Sequence, residues 1–277
     1  MIAVRPPPPR AVVVGKGRLG SALASALALA GSPPAVVSGR DGAARPDEIL
    51  SAARQAGPSV VLLLAVRDDA LSGLVATLAD AVSGFPRGTV ALHHSGSHGA
   101  EVLAPLDEKG LATGSCHPLQ TFTGSPADAG RFQGTTFAID GSGAGLAAAQ
   151  RMALALGGRP VAVEARNRAL YHLAASLGAN GLTGLVAASR DALTGAGLAP
   201  SDALDALAPL LRSALEEALR RGPEAALTGP VARRDETTLD RHRQALLAWD
   251  ASRAPLLEAL IREQRRLVGR RPSGTEC

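Results

Sequence analysis

The feature that most restricts this chain is the run Gly15-Lys16-Gly17-Arg18-Leu19-Gly20. It follows Ala11-Val12-Val13-Val14, which reads as a buried strand, and opens an Ala/Leu-rich stretch, Leu19 to Ala30, which reads as a helix stopped at Gly31. Gly15 permits the tight turn from strand to helix. Gly17 lets the backbone come close to a ligand, and Gly20 lets the helix lie flat on the sheet. A helix that starts this way offers free N–H groups and the positive end of its dipole to an anion. The six residues Gly15, Lys16, Gly17, Arg18, Leu19 and Gly20 are therefore read as the cradle of a dinucleotide diphosphate.

The pattern that follows fits this beginning. Ala35-Val36-Val37 predicts a second strand, residues 46–56 a helix, and Val60 to Val66 a third, fully buried strand. Asp68 or Asp69 is expected to cap a helix that reaches Val82. Strands are expected at 89–93, 111–117, 135–139 and 161–163, with helices at 100–109 and 144–156. Such alternation implies an α/β fold, a doubly wound and mostly parallel sheet. Beyond residue 164 the strand signals stop, and all-helical stretches take over at 167–195, 201–221, 236–248 and 251–268, with Ser201 as an N-cap and Gly222-Pro223 as a stop. The expected organisation is an extended, proline-rich arm at 1–10, an α/β domain at 11–164, a helical domain at 165–269, and a disordered tail at 270–277.

Composition excludes several classes. Aromatic residues are 2% of the chain, so its net charge of +4 comes without the stacking platforms of a nucleic-acid binder. Cys116 and Cys277 form no disulfide framework and no zinc spacing. The N-terminus lacks a signal-peptide core, and the longest apolar run, Val60 to Val66, is too short for a bilayer. The expectation is a cytoplasmic protein with no nucleic-acid or membrane partner.

The second strand ends in Ser38-Gly39-Arg40, where an NAD-binding chain would place an acidic residue for the ribose hydroxyls. Ser38 and Arg40 would attract a 2′-phosphate, which favours NADP, although Asp41 follows. Val66, at the end of the third strand, is expected beside the cofactor.

Four regions carry candidate substrate chemistry. Ser95, Gly96 and Ser97 form a loop whose N–H groups would suit a carboxylate. His117 ends a strand, either as a structural hydrogen-bonding residue or as a substrate contact. Four histidines fall between 93 and 117, but adjacent His93 and His94 point to opposite faces and no acidic partner is near, so no metal is expected. On the next helix His172, Ser176 and Asn180 recur every fourth residue, hence on one face. Gly178, Gly181 and Gly184 weaken that helix, as close approach by a ligand or by a packed helix would require. In the turn Thr228 to Thr237, Arg233 could hold a carboxylate through both its nitrogens or could simply be an exposed charge.

Taken together, these segments resemble the predicted NADP-dependent oxidoreductases that join a Rossmann-like domain to a helical domain long labelled as of unknown function. The likeness spans roughly residues 10–268. It rests on the glycine run, Ser38-Gly39-Arg40, His94-Ser95-Gly96-Ser97, His117-Pro118-Leu119-Gln120-Thr121-Phe122, Tyr171-His172 with Asn180, and Thr228-Gly229-Pro230 with Arg233 and Asp235. The family is related to ketopantoate reductases, pyrroline-5-carboxylate reductases and the 6-phosphogluconate dehydrogenase group. In the wider β-hydroxyacid dehydrogenase group a Lys and an Asn, four residues apart on this helix, serve catalysis. Asn180 fits the Asn position, but Ser176 stands where the Lys would be. The resemblance thus implies NADPH-dependent reduction of a C=O (a ketopantoate-like 2-keto acid) or a C=N in a small carboxylate substrate, with His172 as proton donor. It also implies a homodimer formed through the helical domain. The missing Lys keeps open a non-catalytic NADP-binding sensor or assembly protein.

Overall fold

A computed structural model describes residues 5–38 and 45–270. Seven strands form one sheet in the order β2-β1-β3-β4-β5-β6-β7. They are β1 (Ala11–Val14), β2 (Ala35–Val37), β3 (Val61–Leu64), β4 (Val90–His93), β5 (Ala112–Pro118), β6 (Thr136–Gly141) and β7 (Arg159–Ala162). All neighbours are parallel except β5 and β6, so the last two strands run against the first five. The chain leaves β1 toward β2 on one side and resumes at β3 on the other. The ends of β1 and β3 therefore form the switch point where an open α/β sheet leaves a crevice.

Alternate residues on each strand feed two cores, one on each face of the sheet. Val13, Leu63 and Leu92 meet Leu23 and Leu27 of α1 (Arg18–Leu29) and Ala148, Ala149 and Met152 of α5 (Gly143–Ala155). Val12, Val14, Leu62 and Leu64 meet Ile49 and Ala53 of α2 (Pro46–Ala56), Leu71, Leu74 and Leu78 of α3 (Asp68–Asp80), and Leu106 of α4 (Ala104–Asp107). In a chain with four phenylalanines, Phe122, Phe132 and Phe137 gather on the first face. Small residues elsewhere let helices come close: a Cβ at Gly145 on α5 would lie 1.8 Å from the Thr113 carbonyl oxygen of β5. The described part of the arm has no regular structure, but its Arg10 guanidinium donates to the Ala56 carbonyl (2.9 Å). The expected tail falls outside the described residues from 271 onward.

By its contacts the chain divides into Met1–Gly181 and Leu182–Cys277. Strands do end before residue 164, as expected. However, α6 (Arg168–Ser176) groups with the sheet, because Arg168 and Tyr171 bond to β5. The single helix expected over 167–195 is instead α6, a π-helical turn Leu177–Gly181, and α7 (Leu182–Gly195). The second unit contains α7, α8 (Pro200–Arg221), α9 (Pro223–Ala226), α10 (Glu236–Asp250) and α11 (Ala254–Gly269). Ser201 lies inside α8, and the N-cap is Ala199, because Pro200 takes the first helical position that its ring favours. Likewise Arg67 precedes α3, and neither Asp68 nor Asp69 caps it; Asp68 turns to Ser97 and Asp69 to Arg67. Asp235 does cap α10, accepting from the Thr238 amide at 3.0 Å. Among the described residues no helix is long and apolar enough to cross a membrane.

These close approaches predict opposite outcomes for two Gly→Ala changes. Gly145→Ala should destabilise by about 2–3 kcal/mol, as a methyl forced against backbone does. Gly184→Ala, with nothing within 4 Å of its Cβ position, should gain up to about 1 kcal/mol from helix propensity. Urea denaturation measures both; equal midpoints would contradict the α5–β5 packing.

Candidate functional site

The glycine run lies at the switch point. Gly15 has φ of +117°, and a Cβ there would sit 2.4 Å from the Ala65 carbonyl oxygen, just beyond β3. A Cβ at Gly20 would be 2.0 Å from the Gly15 carbonyl oxygen, so only glycine lets α1 start against this loop. In front of Gly17 nothing lies within 4 Å of a Cβ position. Gly17 is the N-cap of α1, with no side-chain cap and no acidic residue in the first turn. By contrast, α2 carries Asp47 and Glu48, and α3 carries Asp68 and Asp69, at their starts. The one N-terminus of these three without its own carboxylate is thus the one beside the crevice, which fits a diphosphate. Lys16 and Arg18 are exposed, Leu19 is half-buried against the core, and Val66 is half-buried past β3. The Gly15 amide donates to the Val37 carbonyl (2.8 Å), so the half-buried Ser38 directly follows the strand end that touches the glycine loop. Arg40, the expected 2′-phosphate ligand, and Asp41 lie outside the described residues.

On the same edge, the ends of β4 and β5 meet α6. His117 Nδ1 is 2.9 Å from the Tyr171 hydroxyl, with the rings edge-on at 5.5 Å. The His117 and His172 rings are 6.1 Å apart. Both crowd Gly96: a Cβ there would be 2.5 Å from His172 Nδ1 and 2.8 Å from His117 Nε2. Gly96, His117 and His172, far apart in sequence, are therefore neighbours, and Tyr171 joins them. Burial, then the nearby His172, His94 and Arg168, push His117 down to about 3, against the pull of Asp68. Burial pushes the Tyr171 phenol up to about 12. At neutral pH the pair is an uncharged imidazole and a phenol.

The preceding histidines are structural. His93 Nε2 donates to the Gly99 carbonyl (2.8 Å), and its Nδ1 accepts from the Ser95 amide (3.1 Å), which requires the neutral ring. Buried His94 gives its Nδ1–H to the Cys116 carbonyl, leaving Nε2 without a partner among the described residues. Burial pushes both rings down to about 4. Cys116 is a core thiol, pushed up to about 12 by burial.

The remaining expected residues divide. Ser95 and Ser97 are engaged with the protein itself. Ser97 Oγ donates to the Asp68 carboxylate (2.8 Å), Ser95 Oγ sits 3.0 Å from His98 Nδ1, and the Ser97 amide donates to Ser95 Oγ (3.3 Å). Ser176 follows His172 by one turn of α6, while Asn180 falls in the π-helical turn and donates to Ser176 Oγ at 3.4 Å. Among the described residues nothing lies within 4 Å of a Cβ at Gly178. Arg233 is exposed in the turn before α10, within the second unit. Tyr171 and Arg168 were not among the expected site residues. Tyr171 could have been found from its place beside His172; Arg168 carries no such signal in a chain with scattered arginines.

The buried rings predict acid sensitivity. His93 and His94, near 4, and His117, near 3, all lie below the unfolded value of 6.5. Below that value the unfolded chain binds protons that the folded one refuses, so stability is full above about pH 6.5 and falls as pH drops toward about 4. Each ring contributes a slope of up to ~1.4 kcal/mol per pH unit. Urea midpoints should fall between about pH 6.5 and about pH 5, and His94→Gln should flatten the slope by nearly one proton. A pH-independent midpoint over that range would contradict the neutral rings.

Comparison with known proteins agrees with this architecture. Residues 2–118 match the model of a Rossmann-like domain, and residues 135–263 match that of a domain of unknown function, DUF2520. No curated protein sequence matches. Among solved structures, BF3122 from Bacteroides fragilis is 22% identical with a TM-score of 0.70, over 94% of this chain and 98% of that one. A reductive aminase from Aspergillus terreus, in complex with NADPH and ethyl-5-oxohexanoate, is 18% identical with a TM-score of 0.64, over 95% and 99%. Pyrroline carboxylate reductase from Plasmodium falciparum, with NADP bound, is 11% identical with a TM-score of 0.58, over 93% and 98%. At these identities the likeness is one of fold. The chain thus carries a Rossmann-like domain over residues 2–118 and a DUF2520 domain over residues 135–263, in the order that the sequence resemblance implies.

Proposed function

We propose that the chain is an NADPH-dependent reductase acting on a C=O or C=N in a small, carboxylate-bearing substrate. The observation that carries this reading is one shared sheet edge. The glycine loop, open before Gly17 and free of its own anion, ends β1, and the neutral His117–Tyr171 pair with His172 caps β4 and β5. When bound, NADPH supplies the hydride. Gly15, Gly17 and Gly20 with the first turn of α1 hold the diphosphate, flanked by the charges of Lys16 and Arg18. Ser38 and Arg40 receive the 2′-phosphate, and Val66 and Leu19 line the crevice.

The protein's own part is to place the substrate and give a proton. A hydride added to carbon leaves a pair of electrons on the oxygen or nitrogen, which takes a proton from an imidazole nitrogen of His172. Ser176 and Asn180 orient that atom. Gly96 and His117 form the wall opposite, shaped by Ser95 and Ser97. A ketopantoate-like 2-keto acid and a cyclic imine acid both satisfy this description. The reductive aminase and the pyrroline carboxylate reductase that share the fold lend support to the C=N substrate. The free, buried thiol of Cys116 suits the reducing cytoplasm expected from the sequence.

We further propose a homodimer through the helical unit. Along α8, Ala203 and Leu207 are buried, yet Leu210 and Leu219 are 65% and 78% exposed. An open cleft of about 480 Å³ between α7, α10 and α11 is lined by Leu185, Ala192, Leu246, Trp249, Leu256 and Leu260. A second copy would cover such surface.

Thermal shift with each cofactor tests the first step: NADPH should stabilise the fold more than NADH. Equal shifts would defeat the assignment of the 2′-phosphate site. Loss of the nicotinamide absorbance with a panel of 2-keto and cyclic imino acids tests turnover. His172→Phe should lower kcat by roughly 10²–10⁴ while NADPH affinity stays unchanged. NADPH binding with no turnover of any panel member would favour the non-catalytic sensor or assembly protein. Light scattering should give the mass of two chains, and Leu210→Lys should shift it toward one; a wild-type monomer would count against the dimer.

A further inference from the structure

Arg168 is the only buried residue of α6, and its side chain is wholly enclosed while Arg166, Asn167, Ala169 and Leu170 around it are exposed. A guanidinium normally keeps its head in water and buries only its stem. Here the head is inside. Nε donates to the Val163 carbonyl (3.1 Å), and Nη2 donates to Ser115 Oγ on β5. Nη1 has no partner among the described residues, and no carboxylate there makes a salt bridge with it.

The register explains what this group holds. Ser115 pairs with His93 on β4 and with Asp140 on β6, so the three side chains form one polar row across the sheet. Arg168 closes that row. Asp140 is the group that most favours its charge, against burial. Both neighbours in the row secure the loop that contains Gly96: His93 through Ser95 and Gly99, Asp140 through the Ala100 amide (3.0 Å). The next residue of β5 on the same face is His117, two beyond Ser115. On α6, Tyr171 and His172 stand three and four residues beyond Arg168, hence on its face of the helix. Strand and helix are therefore joined at two successive rungs, Arg168 with Ser115 and Tyr171 with His117.

We propose that Arg168 is a positioning residue: by tying the first turn of α6 to Ser115, it fixes where Tyr171 and His172 meet His117 and Gly96. Its functional meaning rests on the reading of that cluster as the reaction site. Lysine cannot take its place, because one ammonium cannot span the Val163 carbonyl and the Ser115 hydroxyl in the planar fork of a guanidinium. Its charge also acts on His117. That ring faces His172 and Tyr171 from α6, His94 from the end of β4, Arg168, and Asp68 from α3; burial and the three cationic or imidazole neighbours disfavour its protonation, and Asp68 favours it.

The test follows the histidine rings of the full-length protein by NMR across pH, with His117 and His172 assigned from His117→Asn and His172→Phe. In the wild type His117 should stay neutral down to about pH 5. Arg168→Met should raise its titration and remove the ring-to-ring cross-peaks between His117 and Tyr171. Arg168→Lys should keep the charge yet lose the cross-peaks. Ser115→Ala, which removes only the hydroxyl that accepts from Arg168 Nη2, should weaken the cross-peaks even if Arg168→Met fails to fold. The readout needs neither cofactor nor substrate, so it stands or falls separately from the reductase reading. A folded Arg168→Met or Arg168→Lys, or Ser115→Ala, with the wild-type titration and cross-peaks would overturn the proposal.

Discussion

The Gly15 carbonyl governs the geometry of the first unit. It stands where a methyl on Gly20 would have to be, 2.0 Å from that Cβ position, while Gly15 itself has no room for a side chain against Ala65. Three backbones, from β1, α1 and the end of β3, therefore converge at one point, with only the Ala65 methyl close by. Because α1 starts there, its first-turn amides have neither a capping side chain nor an acidic neighbour. A helix end in that condition is costly when buried dry and stable when an anion meets it. The apolar strands repay the glycines' conformational cost: every residue of β1 and β3 is buried, with alternate side chains in the two cores.

The far side of the same edge is built by a different principle. Where β1 and β3 end in bare backbone, β4 and β5 end in polar side chains that are almost all satisfied internally. His93 uses both nitrogens, Asp140 accepts from two amides, and Ser97 gives its proton to Asp68. Satisfied polar groups inside a protein specify a single arrangement, since each misplacement would leave a donor or acceptor unpaired. Consequently the loop Ser95-Gly96-Ser97 is a rigid wall whose hydroxyls are already engaged, and only Gly96 presents an unencumbered surface to the histidines.

How much of this could be read from residues alone depended on whether the signal was periodic. The strands and the helix Pro46–Ala56 were legible because buried apolar runs and helical spacing leave direct marks. So was the glycine run at the turn from β1 to α1. The π-helical turn Leu177–Gly181 was not, because one extra residue per turn hardly disturbs an Ala/Leu/Gly pattern. Its effect is large: His172 and Ser176 share a face as expected, but Asn180 reaches that face through an unwound turn and bonds back to Ser176. Ser201 and Asp68 failed as caps because proline geometry and a tertiary hydroxyl claimed their places. Arg168 was invisible because burial, not spacing, distinguishes it from the chain's other arginines.

In the proposed reductase, the electrostatics of the cluster narrow the choice of proton donor. A donor must carry a proton that solvent can replace. His93 and His94 are enclosed and held near 4, His117 is held near 3, and Tyr171 keeps its phenolic proton to about 12. None of these four changes charge around neutrality. His172 is the imidazole of the group that lies exposed, on a helix whose polar face continues into Ser176 and Asn180. Ser176 accepts from the Asn180 amide and so keeps its own O–H to give. A serine at the position where the resemblance implies a lysine therefore supplies a hydrogen bond rather than a charge. The charge that remains nearby is buried one rung away, on Arg168, where it can order the cluster without touching a substrate.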